Sequence, residues 1–477
     1  MREGKQGREL LSRYIQITNP KGRMRCVSRL GWYKDLYVLP QITIGHSPEE
    51  KVVFQANINL TEHHTCRGTL EDWQQNVAKY CVDNSRLGFG LSVAFASPLL
   101  HLLGEENGGF NLRGPSSGGK TTVLKTSLSV YSSEKELHSW RATSNGLESI
   151  AALHNDSLLC LDELGKLEPK IAGEIAYLLV NGGGKQRSQQ SGFARKKQSW
   201  RLLFLSSGEV GLPDLIRQAG QKVRGGHEVR VVDIPAFTGK YGVFEHLHFI
   251  ESGSDFSRML CTNAGAYHGT SGRAFLQELT SNQAIHIERI RSLSEQFKRN
   301  NTPPNADGQV LRVLNRFALI AAAGTLAMEL EITKWPQDEA FWATTTCFEA
   351  WLASRGSTTA QEGNEILRQV RHFFEQHGDS KFTIMGENDQ RIINHRAGYK
   401  KWVQETGTWI FFVLPESFKQ DICSGFDLSI ASAILIEKGW LVRDSGGKST
   451  RAENLPCSTT TTRCYRFDGN KVFSDEI

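Results

Sequence analysis

One short glycine-rich run constrains the fold of this chain more than any other feature. Residues 114–121 read Gly-Pro-Ser-Ser-Gly-Gly-Lys-Thr, which matches the pattern GxxxxGK[ST] at every fixed position. Such a loop binds phosphates when it joins a strand to a helix, because backbone N–H groups and the helix N-terminus then face the same anion. A short strand pattern at Phe110–Leu112 and a helix pattern from Thr122 satisfy this condition. We therefore expect ATP to bind here.

Each residue type in this loop has an expected role. Glycines keep Cβ atoms away from the phosphates, Lys120 bridges the β- and γ-phosphates, and the Thr121 hydroxyl binds Mg²⁺. An ordinary surface loop is the alternative, which the strand and helix on either side disfavour. The predicted nucleotide-binding residues are Gly114, Pro115, Ser116, Ser117, Gly118, Gly119, Lys120, Thr121 and Thr122.

Two later strand patterns end in polar residues suited to ATP hydrolysis. The apolar run Leu158–Leu161 is followed by Asp162 and Glu163. Hydrolysis needs a carboxylate that holds Mg²⁺ and a group that polarises the attacking water, and we assign Asp162 and Glu163 to these roles. An acidic helix cap after a core strand is the alternative. The run Leu202–Leu205 leads to Ser207, which either senses the γ-phosphate or only caps the next turn.

A basic segment lies between these two strands. Residues 185–201 carry six Lys or Arg and no acidic residue, and a Gly-Gly-Gly run precedes them. We interpret the segment as an inserted hairpin that binds a nucleic-acid backbone by releasing counterions. A solvated surface loop is the alternative reading, because charge runs are usually just that. The candidate nucleic-acid contacts are Lys185, Arg187, Arg195, Lys196 and Lys197.

Three arginines are candidates for contact with the transferred phosphate. Phosphoryl transfer gains much from an arginine supplied by a neighbouring subunit, and Arg230 is favoured over Arg224 for that role. A structural salt bridge to Asp233 is the alternative for Arg230. Arg316, near the start of an alanine-rich helix, is either a second sensor that acts on the nucleotide from the lid or an ordinary surface arginine.

Bulk composition adds limits rather than a function. The net charge of +5 is too small to identify a partner, and nine cysteines without CxxC pairs favour reduced thiols in the cytoplasm. His63, His64 and Cys66 could supply the first ligands of a metal site, but no matching pair of His or Cys follows at the spacing of metal ligands. The longest apolar stretch, Leu87–Leu103, contains polar residues and falls short of the roughly 20 residues that span a bilayer. We therefore expect a buried helix there and no membrane partner.

Secondary-structure patterns divide the chain. They indicate strands up to about Gly68, then a helix capped by Thr69 with Asp72 three residues on. Alternating strands and helices follow to about Ala236, as in a parallel sheet covered by helices, and one of the strands is expected at His138–Thr143. Beyond that point the patterns predict helices at Asn282–Arg299, at Val310–Leu330, from near Thr358 and at Leu428–Lys438. They also predict a hairpin that pairs Trp440–Arg443 with Arg463–Phe467.

Taken together, these motifs resemble domain-of-unknown-function family 927 of phages, plasmids and genomic islands, over about residues 25–330. The runs that carry the resemblance are 73–103, 114–122, 140–148, 158–165, the Gly-rich segment ending at Trp200-Arg201, 205–209 and 228–235. Members of that family are similar to AAA+ replicative helicases of the minichromosome-maintenance (MCM) type and are often fused to, or encoded beside, a primase.

The resemblance implies an α/β fold with an AAA+-like P-loop NTPase core. It also implies a hexameric ring with ATP between subunits, a hairpin in the channel, and Arg230 acting in trans. The expected domains are a β-rich region at 1–68, the ATPase core at 69–240, a helical lid at 241–357 and a winged-helix-like domain at 358–477. No primase motif precedes Gly31, so the primase is expected on a separate chain or absent from a shortened member.

The leading functional hypothesis is an ATP-dependent helicase or translocase that acts on single-stranded or forked DNA during replication of a mobile element. A second hypothesis is an AAA+ ATPase that remodels or regulates proteins without acting on DNA. A third is a non-hydrolysing DNA-binding protein that uses Lys438, Lys448 and Arg451 of the C-terminal unit. The second predicts aromatic pore residues, and Phe193 is the only aromatic residue between Asn181 and Ser199.

Overall fold

A computed structural model of the chain divides into two units. One comprises residues 1–303 and 310–356, and the other comprises residues 304–309 and 357–477. The residues that the structure describes are 4–18, 23–48, 50–56, 60–184, 198–221, 225–304, 306–355, 361–386, 393, 395–405, 407–444, 446–456 and 460–474.

The first unit contains fourteen α-helices and ten strands among its described residues. The helices are α1 (Lys5–Ile17), α2 (Leu70–Asn76), α3 (Ser85–Ala96), α4 (Leu99–Leu103), α5 (Lys120–Leu128), α6 (Ser144–Leu153), α7 (Pro169–Asn181), α8 (Leu212–Gln218), α9 (Gly225–Glu228), α10 (Gly253–Ala266), α11 (Thr270–Ser281), α12 (Gln283–Asn301), α13 (Gly308–Glu329) and α14 (Glu339–Arg355). The strands are β1 (Met24–Val27), β2 (Gly31–Tyr33), β3 (Leu36–Val38), β4 (Thr43–Ile44), β5 (Lys51–Phe54), β6 (Gly108–Arg113), β7 (Leu137–Ser139), β8 (Ser157–Asp162), β9 (Leu202–Gly208) and β10 (Val231–Pro235).

A five-stranded sheet with the order β10-β6-β9-β8-β7 forms the centre of this unit. All neighbouring pairs are parallel. Side chains of a strand alternate between the two faces, so Leu159 and Leu161 pack towards α6, α7 and α8. On the other face Cys160 contacts the carbonyl of Leu124 in α5. This arrangement confirms the predicted mixed α/β fold with a parallel sheet.

One predicted helix boundary is confirmed, one predicted strand is wrong in length, and one helix was not predicted. Thr69 caps α2 through a reciprocal pair of hydrogen bonds with Asp72. The predicted strand at His138–Thr143 was too long, because β7 ends at Ser139 and Thr143 instead accepts a hydrogen bond from Gly146 as the cap of α6. The prediction also missed α1, although its apolar residues recur at helical spacing, and no side chain of α1 is buried.

Helix α13 is the only described helix long and apolar enough to cross a bilayer. In the structure, 83% of its most apolar stretch is buried inside the protein, as in the core helix of a soluble protein. Phe317 of α13 packs against Phe89, Phe110 and Phe348, so this helix lies in the core of the first unit.

The second unit combines four α-helices with six strands in its described part. They are α15 (Gln361–His377), α16 (Pro415–Ser417), α17 (Leu428–Glu437), α18 (Gly469–Ser474), β11 (Phe382–Ile384), β12 (Gly398–Val403), β13 (Thr408–Val413), β14 (Leu441–Val442), β15 (Arg451–Glu453) and β16 (Thr462–Asp468). The sheet order is β11-β12-β13-β16-β14, with β15 paired to β16. The antiparallel pairing of Leu441 with Phe467 confirms the predicted hairpin partners, whereas β11, β12 and β13 were not predicted.

Candidate nucleotide-binding site

The glycine loop, residues 114–121, leads from the end of β6 into α5. The backbone N–H of Gly114 donates to the carbonyl of Gly208 in the neighbouring strand, at 3.0 Å. Lys120 is buried, and its Nζ donates to the carbonyls of Gly114 at 2.8 Å and Pro115 at 2.5 Å. Burial lowers the pKa of the Lys120 ammonium, and Glu209 and Asp162 act against that shift. The ammonium therefore lies inside the loop, where a bound phosphate would meet it.

Two glycines of the loop lie under residues 237–244, called here the covering segment, which leaves no room for a side chain. Gly119 has φ +90°, in the left-handed region, and a Cβ there would lie 2.7 Å from Val243. A Cβ on Gly118 would lie 2.0 Å from the ring of Phe237. The covering segment is tied down by the Val243 N–H, which donates to the Gly118 carbonyl at 2.9 Å. Any residue with a side chain at position 118 or 119 would displace this segment.

The covering segment and the loop enclose a cavity of about 640 Å³. Its size suits a nucleotide, and Phe237, Tyr241 and Phe244 give it aromatic walls against which a base can stack. The lining residues are Ser116, Ser117, Gly118, Gly119, Lys120, Thr121, Thr122, Phe237, Lys240, Tyr241, Gly242, Phe244, Gly253, Ser254 and Ser257. Sequence reasoning missed the residues after β10. The available signal was the cluster of aromatic, glycine and lysine residues directly after Pro235.

The carboxylate strand brings Asp162 to the loop. Because β9 lies between β6 and β8, the carboxyl ends of all three strands meet at one edge of the sheet. Thr121 Oγ1 lies 3.3 Å from both carboxylate oxygens of Asp162. Ser207, at the end of β9, donates a hydrogen bond to Asp162 Oδ1, and its hydroxyl accepts one from the Glu163 N–H at 3.3 Å. The structure thus brings Thr121, Asp162 and Ser207 together.

This oxygen set fits Mg²⁺. Mg²⁺ prefers hard oxygen ligands, and protein sites usually supply one or two of them beside substrate phosphates. The Thr121 hydroxyl and the Asp162 carboxylate offer that chemistry next to the loop. Glu163 follows directly, with its side chain half exposed in an ion pair with Lys166.

The candidate arginines lie elsewhere. Val231 pairs with Gly109 at the start of β6, whereas the glycine loop follows Arg113 at its other end. At roughly 3.3 Å per residue, this strand separates the two ends by nearly 20 Å. Within one chain the structure therefore does not bring Arg230 or Arg316 to the glycine loop.

Both arginines line a second cavity of about 500 Å³. Arg316 is buried, contrary to the surface alternative, and donates to the Val229 carbonyl at 2.9 Å. Arg230 donates to the Gly226 carbonyl at 2.7 Å and lies over the Tyr177 ring, 4.2 Å from its centroid. Exposed Glu105, Glu106 and Arg312 also line this cavity.

The alternative of an Arg230–Asp233 salt bridge finds no support among the described residues. Asp233 instead accepts a hydrogen bond from Asn111 Nδ2 at 2.7 Å. Burial raises the pKa of the Asp233 carboxyl to about 6. Arg224 lies outside the described residues.

The candidate DNA contacts Lys185, Arg187, Arg195, Lys196 and Lys197 also lie outside the described residues. The residues on either side of that segment pair with each other. Gly183 bridges Ser199 in antiparallel fashion, and the Gly184 N–H donates to the Gln198 carbonyl at 2.9 Å. The chain therefore leaves and returns at neighbouring points.

The fold and the site are consistent with a nucleotide-binding α/β core. Residues 2–199 match a protein family described as Domain of unknown function (DUF927). None of the curated proteins matches this sequence.

Among solved structures, the chain is similar to one described as SCCmec type IV Cch, an active helicase. The identity is 15%, the match covers 98% of this chain and 84% of that one, and the TM-score is 0.70. At this identity the likeness shows a shared fold. A weaker match is the NrS-1 C-terminal region, with 12% identity, coverage of 62% of this chain and 72% of that one, and a TM-score of 0.24. Another is NtrX from Brucella abortus, with 15% identity, coverage of 56% of this chain and 61% of that one, and a TM-score of 0.20. These two are too distant to bear on the fold.

Proposed function

We propose that this protein is an ATP-dependent DNA helicase or translocase of the AAA+ class that serves replication of a phage, plasmid or genomic island. The contact set of Lys120, Thr121, Asp162 and Ser207 carries the ATPase part of the proposal. The family match and the fold shared with a helicase fit a helicase-like protein of a mobile element.

The residues divide the work of hydrolysis. Lys120 binds the β- and γ-phosphates, while Thr121 and Asp162 hold Mg²⁺, which neutralises phosphate charge when bound. Glu163 polarises the attacking water. Ser207 contacts Asp162 directly and the Glu163 backbone, so its hydroxyl couples the metal-holding carboxylate to the water-activating residue.

A ring, hexameric as in MCM-type helicases, accounts for the position of the arginines. Arg230 and Arg316 line one cavity at the opposite edge of the sheet from the glycine loop. An arginine so placed acts on ATP only when it meets the loop of a neighbouring subunit. Arg230, which is half-buried, is therefore assigned the trans role, and the buried Arg316 donates to the Val229 carbonyl beside it.

DNA contact is assigned to the basic segment between β8 and β9. Gly183 and Ser199 on either side of it pair with each other, so both ends of the segment lie at one point of the ATPase unit. Replacing Lys185, Arg187 and Lys197 by Ala is expected to abolish stimulation of ATP turnover by single-stranded DNA. A triple variant of Lys438, Lys448 and Arg451 is the matched control and tests the hypothesis that the C-terminal, winged-helix-like unit binds the DNA.

The decisive experiment is strand displacement on a forked duplex with Mg·ATP, compared with a non-hydrolysable analogue. We expect displacement with ATP only, and ATP turnover that rises with DNA. If DNA does not change the rate of ATP turnover and no strand is displaced, the proposal is overturned and an ATPase that remodels proteins is favoured. A primase added to the same assay tests the expected replication partner.

A further inference from the structure

A cluster of histidines around one buried carboxylate lies apart from the nucleotide cavity. It joins His63, before α2, to Glu136, in the turn before β7, and to His154, after α6. One ligand atom from each lies within 4.8 Å of the others. His63 Nδ1 is 3.5 Å from Glu136 Oε1, and His154 Nε2 is 3.5 Å from Glu136 Oε2.

The two separations between histidine nitrogen and carboxylate oxygen match those of a tetrahedral metal site. Zinc binds imidazole nitrogen and carboxylate oxygen at about 2.0–2.2 Å, which sets neighbouring ligand atoms roughly 3.3–3.5 Å apart. The imidazole-and-carboxylate set is one that zinc accepts readily.

The imidazole nitrogens are oriented as metal ligands are. His63 Nδ1 and His154 Nε2 are buried and have no hydrogen-bond partner in the described part of the chain. His154 Nδ1 lies 2.9 Å from the Ile150 carbonyl, so the proton belongs on Nδ1 and the Nε2 lone pair faces Glu136. Metal-binding histidines commonly make such a hydrogen bond through the other ring nitrogen. His138 Nε2 is also buried and unpartnered, with its ring centroid 5.2 Å from that of His154.

The charge of the cluster points the same way. Glu136 is 5% exposed and accepts hydrogen bonds from the His64 N–H and the Ser132 hydroxyl. A carboxylate this deeply buried needs a counter-charge, which a divalent cation supplies.

We propose that His63, Glu136 and His154 form a structural zinc site that ties the segment before α2 to the edge of the parallel sheet. The ligands come from three separate stretches of the chain, so the cation cross-links them in the folded state. Cys66, which the sequence places near His63, is exposed and does not belong to the set.

The test is the metal content of the untagged full chain, purified without nucleotide and dialysed after incubation with Zn²⁺. One equivalent of zinc per chain is expected by elemental analysis. Removing it with a strong chelator is expected to lower Tm by about 3–8 °C, with recovery when Zn²⁺ is restored. Absence of stoichiometric zinc, or a Tm that the chelator does not change, would overturn the proposal.

Variants locate the site. His63→Gln and Glu136→Gln are each expected to lose the equivalent of zinc. His286→Gln is the matched control, because His286 is a buried histidine in α12 with an unpartnered Nε2 outside the cluster. Asp162→Asn excludes the magnesium-type site and is expected to keep the zinc. Retention of zinc by both ligand variants contradicts the assignment. If the ligand variants do not fold, the chelation of the wild-type chain decides.

Discussion

Replacing Glu163 by Gly is expected to slow ATP hydrolysis while leaving the free energy of unfolding almost unchanged. The backbone conformation at Glu163 allows the change in stability to be estimated. Glu163 has φ +62°, in the left-handed region, which costs a residue other than glycine about 1–2 kcal/mol. Glycine removes that cost, but it lowers stability by roughly 0.5–1 kcal/mol because it loses more conformational freedom on folding. The ion pair with Lys166 joins two half-exposed side chains and contributes about 0–1 kcal/mol. The central values of these three contributions nearly cancel, so the free energy of unfolding is expected to change by less than about 0.5 kcal/mol.

Catalysis responds very differently. A positioned general base contributes about 10²–10⁴-fold in rate, which corresponds to roughly 3–5 kcal/mol in the activation barrier. The Glu163 side chain does not line the nucleotide cavity, so nucleotide affinity is expected to stay at the wild-type value. A nearly normal fold that binds ATP but turns it over at least about 100-fold more slowly is the predicted outcome.

Phosphate release, titration with a fluorescent nucleotide and urea unfolding measure the three quantities. Glu174→Gly is the control, because Glu174 is an exposed residue inside helix α7, where glycine costs about 1 kcal/mol. If Glu163→Gly is destabilised as much as this control, the argument from the backbone is refuted. Undiminished turnover would refute the role of Glu163 instead.

Three further predictions concern buried polar groups. Ser207→Ala removes a hydrogen bond to the Asp162 carboxylate, so urea unfolding should show a loss of about 1.5–3 kcal/mol together with slower ATP turnover, and unchanged values of both would contradict the contact. Trp140→Phe deletes the donor to Ser206 Oγ, 2.7 Å away in the core, so the free energy of unfolding should fall by about 1–3 kcal/mol; calorimetry with an unchanged Tm would count against it. Burial raises the pKa of Glu339 to about 7 from 4.5, so the neutral form is favoured in the fold and this stabilisation is lost as pH rises from 4.5 through 7. Glu339→Gln should flatten that slope in a pH series of Tm values.

The sequence predicted the parts of the site that local patterns determine. A glycine loop between a strand and a helix, and apolar strands ending in polar residues, depend on short stretches of chain. Because carboxyl ends of parallel strands meet at one edge, Ser207 and Asp162 were expected near the same nucleotide although the chain separates them. The structure brings them into contact.

The remaining parts depend on tertiary contacts that no local pattern contains. Phe237 and Val243 reach the glycine loop only because β10 pairs with β6 and directs the following segment over it. His63 and His154 meet because the N-terminal segment packs on the edge of the sheet, and ligand spacing along the sequence gives no sign of it. Arg316 illustrates the opposite case, since its position on α13 was foreseen but its distance from the loop was not.

The separation of Arg230 from the glycine loop allows the ring to be tested by mixing two inactive proteins. Glu163→Gln keeps Arg230 but cannot activate water, and Arg230→Ala keeps Glu163 but lacks the arginine. If Arg230 acts on the neighbouring subunit, a random equal mixture regains activity at every interface that takes Glu163 from one variant and Arg230 from the other, about a quarter of all interfaces. Turnover near a quarter of the wild-type rate is the expected result, after joint unfolding or exchange of subunits. A mixture no more active than its components would mean that Arg230 works within its own chain or only supports the fold through Tyr177 and Gly226.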